Sequence, residues 1–307
     1  MGDLMTAIQS GEAVVIDGGT GTELERRGAP MNSAAWSAQA TLTHPDLLRA
    51  IHEDYIRAGA RVVIANTFPA SRHVLRDAGL EDRFEEINRR AVQIAREAAD
   101  QADAAVAVAG SISTTTFSGT GALDYRRLPD ESRAVDYYLR HAGILAEAGA
   151  DLIVLEMMRD VAQTACALQA GQKTGLPVWV GFSCEPGESG EMVLLGKSGT
   201  LSAAVRAISD LGPAAMGVMH TQMEDTPEAV RVTATSWDGP IFAYPHRGVF
   251  EMPHWRFTDT VRPEEFAEAA VHWVRAGACV VGGCCGIGPE HIQELSDSLS
   301  ARLRALC

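Results

Sequence analysis

The feature that most constrains the fold is a regular alternation of short apolar runs with longer segments of helical spacing. The apolar runs number eight and lie at 14–16, 61–64, 105–109, 152–155, 178–182, 214–218, 241–244 and 279–281. Helical patterns follow them at 46–58, 83–102, 131–148, 160–174, 202–211, 227–236, 263–276 and 289–306. Eight strand-helix units predict a parallel sheet that closes into a (β/α)8 TIM barrel, an α/β fold.

Turn signals and chain length support this prediction. Three helical patterns end in Ala-Gly-Ala, at Gly59, Gly149 and Gly277, where glycine can take the left-handed conformation that ends a helix. A barrel of this kind needs about 250 residues, so we expect one domain over residues 1–307. A doubly wound open sheet is the rival fold, but the glycine-rich segment after the first run lacks the GxGxxG spacing of a dinucleotide loop. Four long irregular segments, 28–44, 114–129, 185–199 and 245–260, are candidates for lids or subunit contacts in a homo-oligomer.

The composition of the chain limits the classes of partner that it is expected to bind. Lysine and arginine number 26 against 40 aspartates and glutamates, a net charge of −14, which disfavours nucleic acid and anionic membranes as partners. The first residues lack a signal-peptide pattern, and no apolar run is long enough to span a bilayer, so we expect a cytoplasmic protein. The six cysteines are too scattered for a secreted disulfide framework and fit reduced thiols.

The chemistry of a TIM barrel sits where its strands end. The first polar residues after the eight runs are Asp17, Asn66, Thr67, Ser111, Glu156, Ser183, Cys184, His220, His246, Cys284 and Cys285. We expect this ring to form one pocket. Asp17 and Glu156 could together hold an ammonium group, because buried carboxylates need partners; helix capping or a buried ion pair is the alternative.

The most informative residues are Gly282-Gly283-Cys284-Cys285-Gly286, directly after the last run. Adjacent side chains on a regular strand point to opposite faces, but flanking glycines let the backbone depart from strand geometry. Thiolates are strong zinc ligands, so the pair predicts a metal site, with a vicinal disulfide or two buried cysteines as alternatives. His220 is the candidate third ligand; His246 and Cys184 are its rivals.

These motifs resemble the homocysteine S-methyltransferase family along nearly the whole chain. The landmarks are 17–24, Trp36-Ser37, 52–60, Asn66-Thr67-Phe68, Ala109-Gly110-Ser111, Glu156, 281–286, Pro289 and His291-Ile292. The resemblance implies a barrel in which zinc binds the sulfur of homocysteine for attack on a methyl group of a sulfonium or quaternary ammonium donor. A free thiol has a pKa of about 8.5, and zinc keeps it as the thiolate at neutral pH.

The resemblance also implies roles for individual residues. Cys284, Cys285 and His220 would be the catalytic residues, acting through bound zinc. The implied substrate contacts are Asp17, Gly18, Gly19, Trp36, Asn66, Phe68, Glu156 and His246. In that set the two carboxylates would hold the amino end of the acceptor, and the glycine backbone would lie near its carboxylate. The aromatic rings of Trp36 and Phe68 would face the onium donor, or alternatively only pack in the wall of the pocket.

The chain departs from the family pattern inside the pocket. The family's third zinc ligand is a cysteine in a Gly-x-Asn-Cys motif, whereas this chain has Gly217-Val218-Met219-His220. Imidazole is an acceptable zinc ligand, but a neutral ring in place of a thiolate removes one negative charge and makes the bound sulfur a weaker nucleophile. Tyr244-Pro245-His246 replaces a Tyr-Pro-Asn, and Pro69 replaces an aromatic residue. We therefore expect a divergent subfamily with a different donor, acceptor or both.

Two functions of other classes stay open. A His/Cys/Cys metal with an open position could activate water in a zinc hydrolase or lyase, with Glu156 or Asp17 as the base. The replacement by His220 also admits a metal-free homologue that binds an amino acid or an onium compound.

Overall fold

The computed structural model describes residues 2–9, 12–31, 34–114, 128–196, 198–251, 254–257 and 260–305. Its strands are β1 (Val14–Val15), β2 (Val62–Ile64), β3 (Ala107–Ile112), β4 (Leu152–Met158), β5 (Val178–Phe182), β6 (Cys184–Pro186), β7 (Met192–Leu194), β8 (Ala215–Gln222), β9 (Ile241–His246), β10 (Val249–Glu251), β11 (His254–Arg256) and β12 (Val280–Val281). Eight of them form one parallel sheet in the order β1-β12-β9-β8-β5-β4-β3-β2.

Backbone hydrogen bonds join the two ends of this sheet. The Arg61 amide donates to the Val15 carbonyl at 2.9 Å, and the Asp17 amide donates to the Val62 carbonyl at 3.1 Å. The sheet is therefore closed between β1 and β2, and the predicted TIM barrel is confirmed.

Helices surround the barrel. They are α1 (Gly2–Gln9), α2 (Thr20–Arg26), α3 (Ala40–Thr43), α4 (Pro45–Arg57), α5 (Arg72–Asp77), α6 (Phe84–Asp100), α7 (Glu131–Glu147), α8 (Val161–Gln172), α9 (Leu201–Ser209), α10 (Thr226–Ala234), α11 (Pro263–Ala276) and α12 (Pro289–Ala305). All eight predicted helices are present. Apolar residues on one face of each long helix pack onto the strands; in α6, for example, Val92, Ile94 and Ala95 are fully buried in the same core cluster as the strand residues.

The structure also confirms the predicted helix ends at three glycines. Gly59, Gly149 and Gly277 have φ values of +102°, +104° and +123°, in the region that favours glycine. The chain reverses at each of them and enters the next strand.

The structure adds elements that the sequence pattern did not predict. The helices α1, α2, α3 and α5 are short, and the segments 185–199 and 245–260 contain the antiparallel hairpins β6–β7 and β10–β11. Strands of three residues are too short to show an alternating pattern, which is why these segments were predicted to be irregular. Most of the irregular segment 114–129, namely residues 115–127, lies outside the described residues. None of the helices in the described ranges combines the length and the apolar character needed to cross a membrane.

Candidate active site

A cavity opens at the C-terminal ends of the barrel strands, with about 400 Å³ of empty space when its open mouth is included. It is lined by Gly18, Gly19, Thr20, Gly21, Trp36, Ser37, Ile64, Ala65, Asn66, Phe68, Pro69, Glu156, His220, Tyr244, Cys284 and Cys285. The structure thus brings most of the predicted site residues to one place. The ring expected at the strand ends does not line this cavity as a whole. Its members that are not among the described lining residues are Asp17, Thr67, Ser111, Ser183, Cys184 and His246.

The cysteine pair follows the last strand at a tight turn. The strand β12 ends at Val281, and the two buried sulfurs of Cys284 and Cys285 lie 3.6 Å apart. The Cys284 amide donates to the Pro245 carbonyl at 2.6 Å, and the Arg247 amide donates to the Cys285 carbonyl at 2.9 Å. Backbone contacts with the segment after β9 therefore hold both thiols on the same side.

The loop after β1 packs backbone to backbone against this turn. A side-chain carbon on Gly19 would lie 2.5 Å from the Cys284 carbonyl oxygen, and one on Gly18 would lie 2.4 Å from the Ile287 carbonyl oxygen. The Gly19 amide donates to Ile287 at 3.0 Å. Only glycine fits at so close an approach, so the glycine-rich motif shapes the floor of the thiol site.

On the opposite side of the mouth, two strands carry bulges. The register shifts between Leu155 and Met158 in β4, and between Met219 and Gln222 in β8. At these points Met157 and His220 have φ values of +57° and +51°, which costs about 1–3 kcal/mol for a residue other than glycine. Bulges redirect side chains next to active sites. Here they accompany the approach of Glu156 and His220 across the intervening strand β5.

His220 lies in a polar and aromatic cluster. Its Nε2 is 2.8 Å from Oε1 of Glu156, whose Oε2 accepts a hydrogen bond from the Ser111 hydroxyl at 2.5 Å. The Phe68 ring stacks on the imidazole with centroids 5.1 Å apart and planes inclined by 19°. Burial opposes a charge on His220, but Cys284 and Glu156 outweigh it and raise the pKa of the imidazole to about 10.

The spacing of these side chains fits a tetrahedral metal ion. The Cys284 sulfur is 3.6 Å from Nδ1 and 3.4 Å from Nε2 of His220. The ligand atoms of His220, Cys284 and Cys285 all lie within 4.8 Å of one another. Tetrahedral zinc, with Zn–S of about 2.3 Å and Zn–N of about 2.0 Å, separates two sulfurs by about 3.8 Å and sulfur from nitrogen by about 3.5 Å.

The two rival ligands are placed less well. The Cys184 sulfur lies 3.4 Å from the Thr221 hydroxyl, and burial raises the pKa of the Cys184 thiol to about 12. His246 meets His220 edge to face at 6.4 Å, and its other side contacts Trp255 at 5.6 Å. Over the described part of the chain, no other three His, Cys, Asp or Glu side chains cluster closely enough to hold a metal. The geometry therefore favours His220 as the third ligand, which stays a prediction.

Asp17 is buried behind the cavity wall. Its Oδ2 accepts a hydrogen bond from the Ile64 amide at 2.6 Å, and its Oδ1 accepts one from the Tyr244 hydroxyl at 3.1 Å. The same hydroxyl lies 2.8 Å from the Gly18 carbonyl oxygen. Burial raises the pKa of the Asp17 carboxyl well above its usual value. In this arrangement Asp17 fixes the loop after β1, and its predicted contact with a substrate ammonium group is untested.

Two residues acquire roles that the sequence did not indicate. Tyr244 lines the cavity, although as the last residue of the seventh apolar run it had the pattern of a core residue. Asn66 donates to the Ser37 carbonyl at 2.9 Å and accepts from the Ser37 hydroxyl at 2.9 Å. Its amide therefore holds the short helical turn Trp36–Gln39, and with it the Trp36 ring, over the cavity.

A closed (β/α)8 barrel with a His/Cys cluster in its C-terminal mouth defines a class of enzymes whose site can carry a metal. The model of the homocysteine S-methyltransferase family matches residues 14–299, and the chain belongs to that family. It is accordingly an S-methyltransferase, an enzyme that places a methyl group on sulfur.

Curated relatives agree with this assignment, and a solved structure agrees with the fold. The chain is 28% identical to homocysteine S-methyltransferase 4 of Zea mays, over 94% of this chain and 90% of the maize protein. It is also 28% identical to the selenocysteine methyltransferase of Astragalus bisulcatus, over 95% and 94% of the two chains. The metallated form of the homocysteine methyltransferase MmuM from Escherichia coli superposes with a TM-score of 0.75 at 24% identity, covering 96% of this chain and 99% of that one, and supports the fold.

Proposed function

We propose that this enzyme transfers a methyl group from a sulfonium or quaternary ammonium donor to the thiolate of homocysteine or a related thiol, at a zinc site formed by His220, Cys284 and Cys285. The observation that carries the proposal is the spacing of these three side chains on the wall of the cavity. Bound zinc would keep the acceptor sulfur deprotonated at neutral pH. With three protein ligands, a tetrahedral ion keeps one position for that sulfur.

The cavity wall suits a cationic donor. Of the described residues that line it, none is lysine or arginine, and Glu156 supplies a carboxylate. The aromatic rings of Trp36 and Phe68 offer faces that attract an onium group. No lysine or arginine among these lining residues would therefore repel a cationic donor.

The reaction needs alignment more than acid-base chemistry. The lone pair of the thiolate forms a new S–C bond while the bond between the methyl carbon and the donor heteroatom breaks and its electron pair stays with the donor. Both partners become neutral at the reacting atoms, so the transition state carries less separated charge than the reactants. The role of the cavity is to hold sulfur, methyl carbon and leaving atom in line, which we assign to Trp36 and Phe68 on the donor side.

The acceptor's amino-acid end has candidate partners on the other side. We propose that Glu156 contacts the ammonium group, with Asp17 behind it, and that the Gly18 and Gly19 backbone lies near the carboxylate. The name of the relative from Astragalus bisulcatus adds selenocysteine as an acceptor worth testing.

The test measures methyl transfer by reduced, zinc-loaded enzyme from S-methylmethionine and from glycine betaine to homocysteine and to selenocysteine. We expect product with at least one donor class and a loss of activity of about 10³-fold after zinc is removed by a chelator. Controls without acceptor detect the alternative hydrolase or lyase reaction, which would consume the donor alone. Inactivity with every pair, in protein that retains zinc, would contradict the proposal.

A further inference from the structure

The contact between Glu156 and His220 suggests that Glu156 has a role besides binding the substrate. The two residues come from strands that are not neighbours, because β5 lies between β4 and β8. Each lies at a bulge in which a residue other than glycine takes a positive φ, Met157 in β4 and His220 itself in β8. Two strained bulges that bring one carboxylate within 2.8 Å of one imidazole indicate a contact with a function.

The carboxylate is itself oriented. Its Oε2 accepts the hydrogen bond from Ser111, so Oε1 is the oxygen that faces Nε2 of His220. Glu156 and Ser111 are both buried, and a buried hydrogen bond to a carboxylate is stronger than one in water. The ring is held from its face by Phe68. Carboxylate, hydroxyl and aromatic ring together leave the imidazole one orientation.

We propose that Glu156 is a positioning residue for the metal ligand His220: it accepts the proton of Nε2–H and so fixes the tautomer in which Nδ1 presents its lone pair toward the cysteine sulfurs. Both ring nitrogens lie at a spacing from the Cys284 sulfur that suits two ligands of one tetrahedral ion, 3.6 Å for Nδ1 and 3.4 Å for Nε2. Because Glu156 contacts Nε2 at 2.8 Å, Nδ1 is the nitrogen left for the metal. A metal-bound histidine commonly donates its other ring N–H to a carboxylate, which raises the basicity of the ligand. The inference rests on the zinc site proposed above.

The pairing also has a consequence for charge. A neutral imidazole in place of a thiolate ligand removes one negative charge from the site. The hydrogen bond to the Glu156 carboxylate makes the imidazole a more basic ligand, so it offsets part of the electron density that the bound sulfur loses with that charge.

The experiment measures zinc affinity by competition with a chelator, without substrate, in the wild type and in Glu156→Ala, Glu156→Gln and Ser111→Ala. We expect affinity to fall by about 10-fold to 100-fold in Glu156→Ala, to be within about 5-fold of wild type in Glu156→Gln, which keeps the acceptor, and to fall less in Ser111→Ala than in Glu156→Ala. Ser183→Ala is the matched control, because the Ser183 hydroxyl donates to the main-chain carbonyl of His220 at 2.9 Å and does not touch the ring.

A spectroscopic readout separates positioning from folding. Long-range proton-nitrogen correlation spectra of the zinc-loaded wild type should show the proton of His220 on Nε2, and the same state should persist in Glu156→Gln. Wild-type protein with zinc bound but with the proton on Nδ1, or equal zinc affinity in Glu156→Ala and wild type, would overturn this inference alone. Wild-type protein that binds no zinc would overturn the proposed function as well.

Discussion

The two halves of the candidate metal site are built in different ways. The thiol half rests on backbone: a turn after β12, held by main-chain hydrogen bonds and by glycines that permit close approach. The imidazole half rests on side chains: Glu156, Ser111 and Phe68 around His220, at bulges with strained φ values. Both halves form only when distant strands meet, but the residue types of the thiol half lie in one stretch of sequence, whereas the imidazole half joins four separate segments.

The largest effect should come from removing one ligand from each half. Cys284→Ser and His220→Ala should both lose stoichiometric zinc, and methyl transfer should fall by about 10³-fold, because either change leaves two protein ligands. Elemental analysis and an activity assay check this. Cys166→Ser, on the partly exposed face of α8, is the control and should keep its zinc.

Zinc loss in the cysteine variant but not in the histidine variant would change the assignment of the third ligand. Zinc that survives His220→Ala but disappears in His246→Ala or Cys184→Ser would move the third ligand to that residue. The imidazole half described here would then serve the substrate instead of the metal.

A smaller effect should follow from crowding the thiol half without touching a ligand. In Gly19→Ala the new methyl group would lie 2.5 Å from the Cys284 carbonyl oxygen, so the turn must move. We expect a loss of about 1–3 kcal/mol in the free energy of unfolding, measured by denaturant titration, together with weaker zinc binding.

Gly143 provides the matched control for this change. It lies inside α7, and apart from its chain neighbours and the backbone of its own helix no described atom is within 4 Å of a side-chain carbon placed there. Gly143→Ala should therefore stabilise the protein by up to about 1 kcal/mol, because alanine favours helix more than glycine does. Equal destabilisation by both substitutions would show that the turn does not depend on close backbone contact.

The smallest effect concerns the scaffold that carries both halves, and it depends on pH. Burial lowers the pKa of His52, in α4, to about 4. Unfolded His52 binds a proton below about pH 6.5, whereas the folded residue stays neutral until about pH 4, so stability should be complete above pH 6.5 and decline as the pH falls through this window. At pH 5.5 the decline from this residue is about 1 kcal/mol.

Denaturation of metal-free protein at pH 7.5 and 5.5 measures this decline. His52→Leu should reduce the difference between the two pH values by about the amount given for His52. His141, whose pKa burial and the nearby His73 lower to about 3, should maintain a residual dependence on pH. An unchanged difference in the variant would show that His52 is not the group responsible.

The position of the two thiols at the barrel mouth could be predicted from the sequence, for a physical reason. Adjacent cysteines between glycines need a departure from strand geometry, and the pattern of eight apolar runs located that departure at the mouth of a barrel. The imidazole half was predicted only as single residues. Nothing in a strand pattern signals that Met157 and His220 take positive φ values or that Glu156 reaches across β5.

Asp17 shows a second limit of sequence-based reasoning. Its position after the first strand marks it as a pocket residue, yet both of its oxygens accept hydrogen bonds from β2 and β9, and burial keeps it behind the wall. The short loop after β1 also folds back on the turn after β12 through glycine. Such contacts depend on backbone approach distances, which residue types alone do not specify.

The stack of rings around His220 has a thermodynamic consequence. Phe68 stacks on the imidazole, His246 contacts it edge to face, and Trp255 contacts His246 edge to face. A side chain confined in this way has already lost most of its rotational entropy when the barrel folds. An ion bound there would therefore lose little binding free energy to ordering this ring, and its affinity would depend on residues that do not touch the metal.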